Sequence, residues 1–509
     1  MGNDVNTIVL FFLCLMLSSP IIALAFNCSL ISRPIVAARL AGYSIGGGFL
    51  TGVGLLSYLS LSQNSAVYFL ISFNTLGLLL CSLILLVSFI VHRFSLRYMH
   101  GDRLYRRFFL LLSTLTFTAL IMVLADDLFL FWCALSASNV FLVLLMVHKS
   151  EWAAAKNSAR LAFYTLSSGC LSLLIAFIIL TVTYSSSSIS SLVQITQFGN
   201  PSLFSISMGL ILVGAVVQSG LFPFHRWLIS SLNSPTPVSA LMHAGLVNGG
   251  GILIVKLASL IILCPGLLTL LFIVGFISAL LGTTWKLMQH DVKKMLACST
   301  MAQMGFMMMQ CGVGLFAAAI AHLCWHGLFK AYLFLSSGSA VKQRKSETNS
   351  SKGSLIMLMI SLSGGIVAMV SFAFVTNKPL SVYEASSFVL FFTFIAGSQL
   401  MFTWIRAHQT VSSFVLALFL AMISGLMYGA SIQLIQWLIP GISLLKAPQL
   451  SIIHWTIMAS FAAFWAFFNL GLHQTIGQSR LGCWLYMSLF NSSQPSVKTV
   501  TALRNDYNY

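Results

Sequence analysis

Three residues pose the chemical question first: His322, His326 and Lys330. They recur at i, i+4 and i+8 within an apolar run, so a helix there sets all three on one face over about 12 Å of rise. Two imidazoles and an amine in such a stripe suit a proton or cation relay, because imidazole titrates near neutrality and desolvation draws an amine toward that range. The competing account has Lys330 snorkelling to the headgroups and the histidines making interhelical hydrogen bonds. A mostly apolar stretch separates Lys330 from Lys342, which counts against snorkelling.

A second constellation lies in residues 218–251, QSGLFPFHRWLISSLNSPTPVSALMHAGLVNGGG. Gly220 and Pro223 predict a helix break within the membrane, since proline lacks a backbone donor and clashes with the preceding turn. Broken helices free backbone groups at depth and mark ion paths in transporters. The Asn233–Pro237 stretch predicts a turn, with Pro237 suited to the first turn of the next helix. His243 follows two turns later, with Ser239 one turn before it on the same face, and Gly249, Gly250 and Gly251 allow close backbone packing. A lone buried histidine is otherwise a satisfied packing residue.

Weaker signals complete the set. Asp126 and Asp127 at one helix end, and Glu384 at another, suit either a cation-attracting mouth or solvated helix-end carboxylates. Lys256 divides evenly between snorkelling and the path. Asp291 with Lys293 and Lys294 reads as a helix-start cluster, and the methionines as packing. Ten cysteines are scattered without a CxxC pair, and Cys324-Trp325-His326 is too thin for a zinc site. No cofactor or metal is expected in this chain.

These residues must be positioned by helices in a bilayer. Of 509 residues 58% are hydrophobic and 7% charged, against about a quarter charged in an ordinary soluble domain. Mean hydropathy is +0.95. A soluble enzyme, a disordered chain and a fibrous protein are excluded. Fifteen apolar runs of spanning length fall between residues 8 and 472, among them 43–61, 65–91, 126–147, 204–233, 236–260, 292–313 and 315–340. The predicted class is an all-α polytopic membrane protein with about 13–15 transmembrane helices.

The net charge of +17 then finds its reason. Arg33, Arg39, Arg93, Arg97, Arg103, Arg106, Arg107, Lys149, Lys156, Arg160, Lys286, Lys293, Lys294, Lys342, Arg344, Lys345, Lys352, Arg406, Arg480, Lys498 and Arg504 fall after odd-numbered runs, whereas only Lys378 and Lys446 fall after even-numbered ones. That is the positive-inside pattern, not a nucleic-acid surface. It predicts the N-terminus outside and the C-terminus in the cytoplasm. Residues 1–6 carry Asp4 and no basic residue, so the first run reads as a retained helix rather than a signal peptide. The predicted organisation is N-terminal helices over 1–105, a first unit over 106–260, a second over 261–410, further helices over 411–473, and a polar tail, 474–509, along the cytoplasmic membrane surface.

Residues 226–251 and 290–339 resemble the antiporter-like membrane subunits of respiratory complex I and of Mrp-type cation/proton antiporters. The motifs are PTPVSAL followed by HA, then D-x-K-K-x-L-A-x-S-T followed by H-x3-H-x3-K. The wording HAGLVNGGG after FPFHRWL is more similar to the membrane subunits of DAB inorganic carbon transporters. The resemblance implies an antiporter-like fold with two inverted five-helix repeats and broken helices. It implies a non-enzymatic subunit in a bacterial inner membrane that runs protons or sodium ions through His243, His322, His326 and Lys330, with Ser239, Gln218 and Lys256 along the path. It further implies a soluble, zinc-containing partner of the DabA type, similar to a β-carbonic anhydrase, at the cytoplasmic face. The short sequence after the last run leaves no room for the long lateral helix of the complex I relative. Trp132-Cys133 stands where such subunits carry Trp-Glu, and Gln218 where they carry lysine, which puts a full pump in the first unit in doubt. The alternative is a proton-translocating subunit of a complex I-type NADH dehydrogenase or an Mrp Na+/H+ antiporter; a stand-alone channel is weakest.

Overall fold

The computed structural model describes residues 2–62, 66–68, 70–195, 201–342, 354–378, 384–408 and 410–500. Arg344, Lys345, Lys352 and Arg504 of the basic count lie outside these. The chain begins with α1 (Gly2–Ser29) and α2 (Pro34–Ser62), then a hairpin of β1 (Ala66–Tyr68) and β2 (Ile71–Phe73). Next come α3 (Thr75–Tyr98), α4 (Tyr105–Leu124), α5 (Leu128–Met146), α6 (Ala153–Tyr184) and α7 (Ile189–Ile195). The broken region holds α8 (Pro201–Gln218), α9 (Arg226–Ile229), α10 (Thr236–Ala244), α11 (Gly249–Lys256) and α12 (Ala258–Ile261). Then follow α13 (Pro265–Met288), α14 (Val292–Gly312), α15 (Phe316–Leu335), α16 (Leu355–Thr376), α17 (Ser386–Ala407), α18 (Val411–Leu438) and α19 (Pro440–Ser443). The chain closes with α20 (Ile452–Asn469), α21 (Leu472–Gly477) and α22 (Arg480–Ser492).

Fourteen helices among the described residues have the length and hydropathy to cross a bilayer. A fifteenth, α14, is 21 residues long but less apolar, because Lys293, Lys294, Gln303 and Gln310 sit on it. It packs backbone to backbone against α13. A Cβ on Gly275 would lie 2.6 Å from the Gly305 carbonyl, and one on Gly282 2.6 Å from the Ala302 nitrogen. Small residues allow the close approach that replaces hydrophobic association between membrane helices.

The basic residues gather at one end of the bundle. There the Arg106 Nε on α4 donates to the Asn27 carbonyl at the end of α1 (2.8 Å), and His148 pairs with Asp102 (3.0 Å). At the opposite end the Asp126 N–H donates to the Leu70 carbonyl (2.8 Å), tying the hairpin to the α4–α5 turn. Side chains of Asn74, Asp127, Asp291, Ser354 and Thr410 accept from backbone N–H groups and start their helices there.

Two boundaries differ from expectation. The run 65–91 is not helical from its start: the hairpin occupies 66–73, and Asn74 caps a helix that begins at Thr75. The run 43–61 belongs to a helix that starts at Pro34, a residue suited to a first turn.

The break at Gly220 and Pro223 is present. The α8 helix stops at Gln218, Gly220 has φ +60°, which favours glycine, and the Phe222–Pro223 bond is cis. A second break was not expected. The next helix, read as continuous over 236–260, ends at Ala244, passes through a 3-10 turn at Leu246–Asn248, resumes as α11, and stops again before α12. This doubly broken stretch is the centre of the molecule. In Thr236–Lys256 every residue but Gly245 and Lys256 is buried within the protein, whereas most residues of α18 and α20 are not.

The tail is also more integrated than expected. Beyond α22, which exposes Leu481, Trp484 and Tyr486, the chain turns under the bundle. Gln289 donates to Ser493 (2.8 Å), Asn157 to the Lys498 carbonyl (2.9 Å) and Asn233 to the Thr499 carbonyl (2.8 Å). Residues 493–499 thus form a strap across the basic end, beneath the turn that joins the broken helices.

Candidate functional site

Helix α15 delivers the histidine–lysine stripe to the broken helix because Gly327 lies between them. A Cβ there would sit 2.9 Å from the Ala244 carbonyl, so a larger residue would push α15 away from α10. Lys330, 1% exposed, does not snorkel. Its ammonium donates to the Leu296 carbonyl (3.1 Å) and to the Ser299 hydroxyl, both on α14. An interior ammonium needs such oxygen partners, since desolvation is costly.

The imidazoles are less well provided for. His326 is buried and neither ring nitrogen has a hydrogen-bond partner. His322 stacks with it, ring centres 6.2 Å apart and planes 14° apart, and its Nε2 is also unpartnered. His243, 1% exposed, stacks on Phe334 at 4.3 Å and 12°, with Nδ1 unpartnered. His326 is close enough to His322, to Lys330 and to His243 to interact electrostatically with each. Asn248, in the second break, donates to the Ala244 carbonyl (2.7 Å) and leaves its own oxygen unpartnered. Buried polar groups without partners are uncommon, and in a polar, roomy setting they are where water binds.

His322 also borders a cavity of about 1260 Å³ that runs toward the basic end between α13, α14, α17, α18 and α20. Gln303, Gln399, Lys286 and Tyr428 are among its polar lining. Of the stripe, His322 alone reaches this cavity.

The remaining predicted residues lie elsewhere. Gln218, at the end of α8, is bonded to Asn139 and to the Leu246 carbonyl of the second break. The Ser239 hydroxyl turns back to the Pro235 carbonyl (3.4 Å). Lys256 donates to the Val123 carbonyl (2.6 Å), so its ammonium is held inside the fold. Asp126 accepts from Ser188 and Ser190, each at 2.6 Å, while Asp127 accepts from Ser187 and caps α5. Both aspartates are buried rather than solvated, with three of their four oxygens taken by the serine-rich turn and Asp127 Oδ1 by the Leu130 N–H. Glu384 accepts from Ser386 (3.2 Å), and burial pushes the nearby Lys378 ammonium pKa down while the Glu384 carboxylate opposes the shift.

Several polar residues in the interior were not singled out from the sequence. Asn139 is one, a lone amide in an apolar run. Another is His225, whose ring lies 4.8 Å from Trp285; its place between two prolines in FPFHRWLISSLNSP was the available signal. His92 is a third, bonded to the Ser88 carbonyl (2.8 Å) and to Ser113 (3.2 Å), a satisfied packing histidine. Among the described residues no three His, Cys, Asp or Glu converge as a metal site.

Comparison with known proteins places these features. Residues 125–359 match the family described as NADH:quinone oxidoreductase/Mrp antiporter, transmembrane part, and residues 58–109 match the N-terminal family of complex I chain 5. The probable inorganic carbon transporter subunit DabB1 of Halothiobacillus neapolitanus is 41% identical over 266 residues, covering 51% of this chain and 47% of that one. The probable inorganic carbon transporter subunit DabB of Bacillus anthracis is 36% identical over 336 residues, covering 65% and 64%. NADH-ubiquinone oxidoreductase chain 5 of Schizophyllum commune is 34% identical over 53% of this chain and 40% of its own length. The chain thus spans about half to two thirds of the length of the curated carbon-transporter relatives it matches. Among solved structures, a chain of the Mrp complex from a Dietzia species superposes with a TM-score of 0.62 at 20% identity, covering 94% of this chain and 59% of that one. A chain of an archaeal membrane-bound sulfane sulfur reductase gives 0.59 at 17% identity, covering 93% and 77%. These two likenesses concern the fold alone.

Proposed function

For this antiporter-like membrane subunit of the complex I subunit 5 and Mrp type, similar in sequence to DabB proteins, we propose the role of ion-conducting subunit in an inorganic carbon accumulation complex. Protons or sodium ions run down their gradient through His243, His322, His326 and Lys330, and the flow drives one-way hydration of carbon dioxide to bicarbonate by a soluble partner. That partner is a zinc-containing, carbonic-anhydrase-like protein of the DabA type, docked at the basic end. By the positive-inside rule this end faces the cytoplasm of a bacterial inner membrane, with the N-terminus outside. This chain carries no hydration chemistry itself.

The observation that carries the reading is the set of imidazole nitrogens left unpartnered around a buried ammonium, against a doubly broken helix. Groups that titrate near neutrality and have spare hydrogen-bonding capacity can pass a proton or hold a partly hydrated cation. One charge crossing 100 mV releases about 2.3 kcal/mol, enough to bias a near-equilibrium hydration strongly. A second reading, a pumping subunit of a redox complex or an Mrp antiporter, draws on the family that residues 125–359 match.

Purification of the tagged protein separates the two. Co-purification of a zinc-bearing soluble protein supports carbon accumulation; a set of small hydrophobic or redox subunits overturns it. In carbonic-anhydrase-deficient cells, Lys330→Ala is expected to abolish growth in ambient air. Undiminished growth would show that the stripe is packing.

A further inference from the structure

The first helix break carries a polar cluster of the opposite kind. Asn139 of α5 and Gln218, the last residue of α8, form a reciprocal amide pair. The Asn139 Nδ2 donates to Gln218 Oε1 (3.0 Å), and the Gln218 Nε2 donates to Asn139 Oδ1 (3.0 Å). The second Gln218 proton goes to the Leu246 carbonyl (3.2 Å), and the second Asn139 proton faces the Cys170 sulfur (3.5 Å). Each amide has two donors and an acceptor oxygen, and every one is engaged. Both residues are at least 95% buried.

The surroundings match this closure. A pocket of about 300 Å³ beside Asn139 is mainly apolar, with Trp132, Val143, Phe163 and Leu166 on its wall beside Ser136 and Ser167. On the other side α11 presses on α8 at glycine distance: a Cβ on Gly250 would meet the Ala215 carbonyl at 2.2 Å and Ser219 Oγ at 2.3 Å. Neither amide titrates, so the pair can neither take up nor release a proton, and each amide oxygen already accepts a hydrogen bond from the other residue.

We propose that the Asn139–Gln218 pair is an electrical insulator at the first helix break, which confines ion passage to the single route through His243, His322, His326 and Lys330. The inference rests on the ion-conducting reading above and adds a limit to it: one route per chain. The pair holds the broken α8 end against the turn at Leu246–Asn248 through hydrogen bonds that carry no charge.

The test is proton uptake, reported by an entrapped pH dye, into sodium-free proteoliposomes containing the whole complex. Asn139→Leu with Gln218→Met removes both amides and keeps their shape, and the Leu246 carbonyl retains its bond from the Gly249 N–H. Replacing both partners of a buried pair by apolar groups is close to neutral, so uptake is expected within about threefold of the unaltered complex. In the same assay Lys330→Ala is expected to lower uptake about a hundredfold. Loss of uptake in a monodisperse, folded double variant overturns the insulator. Survival of uptake in Lys330→Ala overturns the route itself, a separate failure. If the double variant does not assemble, Gln218→Glu decides: a carboxylate facing Asn139 Oδ1 and the Leu246 carbonyl is expected to lower uptake about tenfold, an uncompensated buried charge being strongly unfavourable. Uptake equal to or above the unaltered complex would show that this position carries charge, and the proposal falls.

Discussion

Two polar clusters flank the same pair of helix breaks and are built on opposite rules. At Asn139 and Gln218 every donor and acceptor is matched, and the cluster is neutral. Around His243, His326 and Lys330 the ammonium is held but the imidazoles are not. Burial is nearly equal in the two. What separates them is satisfaction: a cluster that has spent its hydrogen bonds on itself stabilises a turn, and one that has not can exchange partners. Polarity inside a membrane is therefore a poor marker of an ion path until its bonds have been counted.

The comparison can be broken most severely by making the second cluster resemble the first. Lys330→Gln keeps a donor for the Leu296 carbonyl but removes the charge. Proton uptake by the reconstituted complex is expected to fall about a hundredfold, the scale of removing a positioned acid–base group. Retained uptake would mean that neutral amides serve equally well and that the contrast has no functional content.

Wedging the breaks apart comes next. Gly250→Leu drives a side chain into the Ala215 carbonyl and Ser219, and overpacking of this kind costs about 3 kcal/mol. Thermal unfolding in detergent should shift down by several degrees, with uptake lost in the folded fraction because both clusters are displaced together. A smaller effect is expected from His322→Asn, at the border between the stripe and the large cavity. Uptake should fall about tenfold, less than for Lys330, if the cavity supplies water that partly replaces the imidazole. The smallest belongs to Asn233→Ala, which removes the donor to the strap at a cost of about 1 kcal/mol. A slight drop in unfolding temperature with unchanged uptake would place the strap outside both clusters.

The histidine–lysine stripe was legible because its i, i+4, i+8 spacing needs only a helix to become a face. The first break was legible because Gly220 and Pro223 are local: each restricts its own backbone. The second break was not. No proline marks Gly245, and the turn after it owes its shape to packing against Gly327 on α15 and to the Gln218 amide, neither nearby in sequence. Asn139 was hidden for the same reason, since its partner lies 79 positions away and a lone asparagine in an apolar run has no periodic signature. The hairpin at 66–73 was read as helix because a short apolar run has no period that distinguishes a strand from a buried helix. Charge placement was legible throughout, being a property of loops rather than of contacts.

The strap has a consequence in time as well as in space. Asn233, in the turn between the broken helices, bonds to a carbonyl 266 positions later, and Asn157 to one 341 positions later. As the chain emerges, these donors enter the membrane surface with their acceptors not yet made. They stay open until every helix from α13 to α22 has been synthesised, because loop closure of this length must wait for the intervening segments. The broken helices are therefore covered at the basic end last, so a chain interrupted in synthesis leaves the turn at Asn233 without its cover.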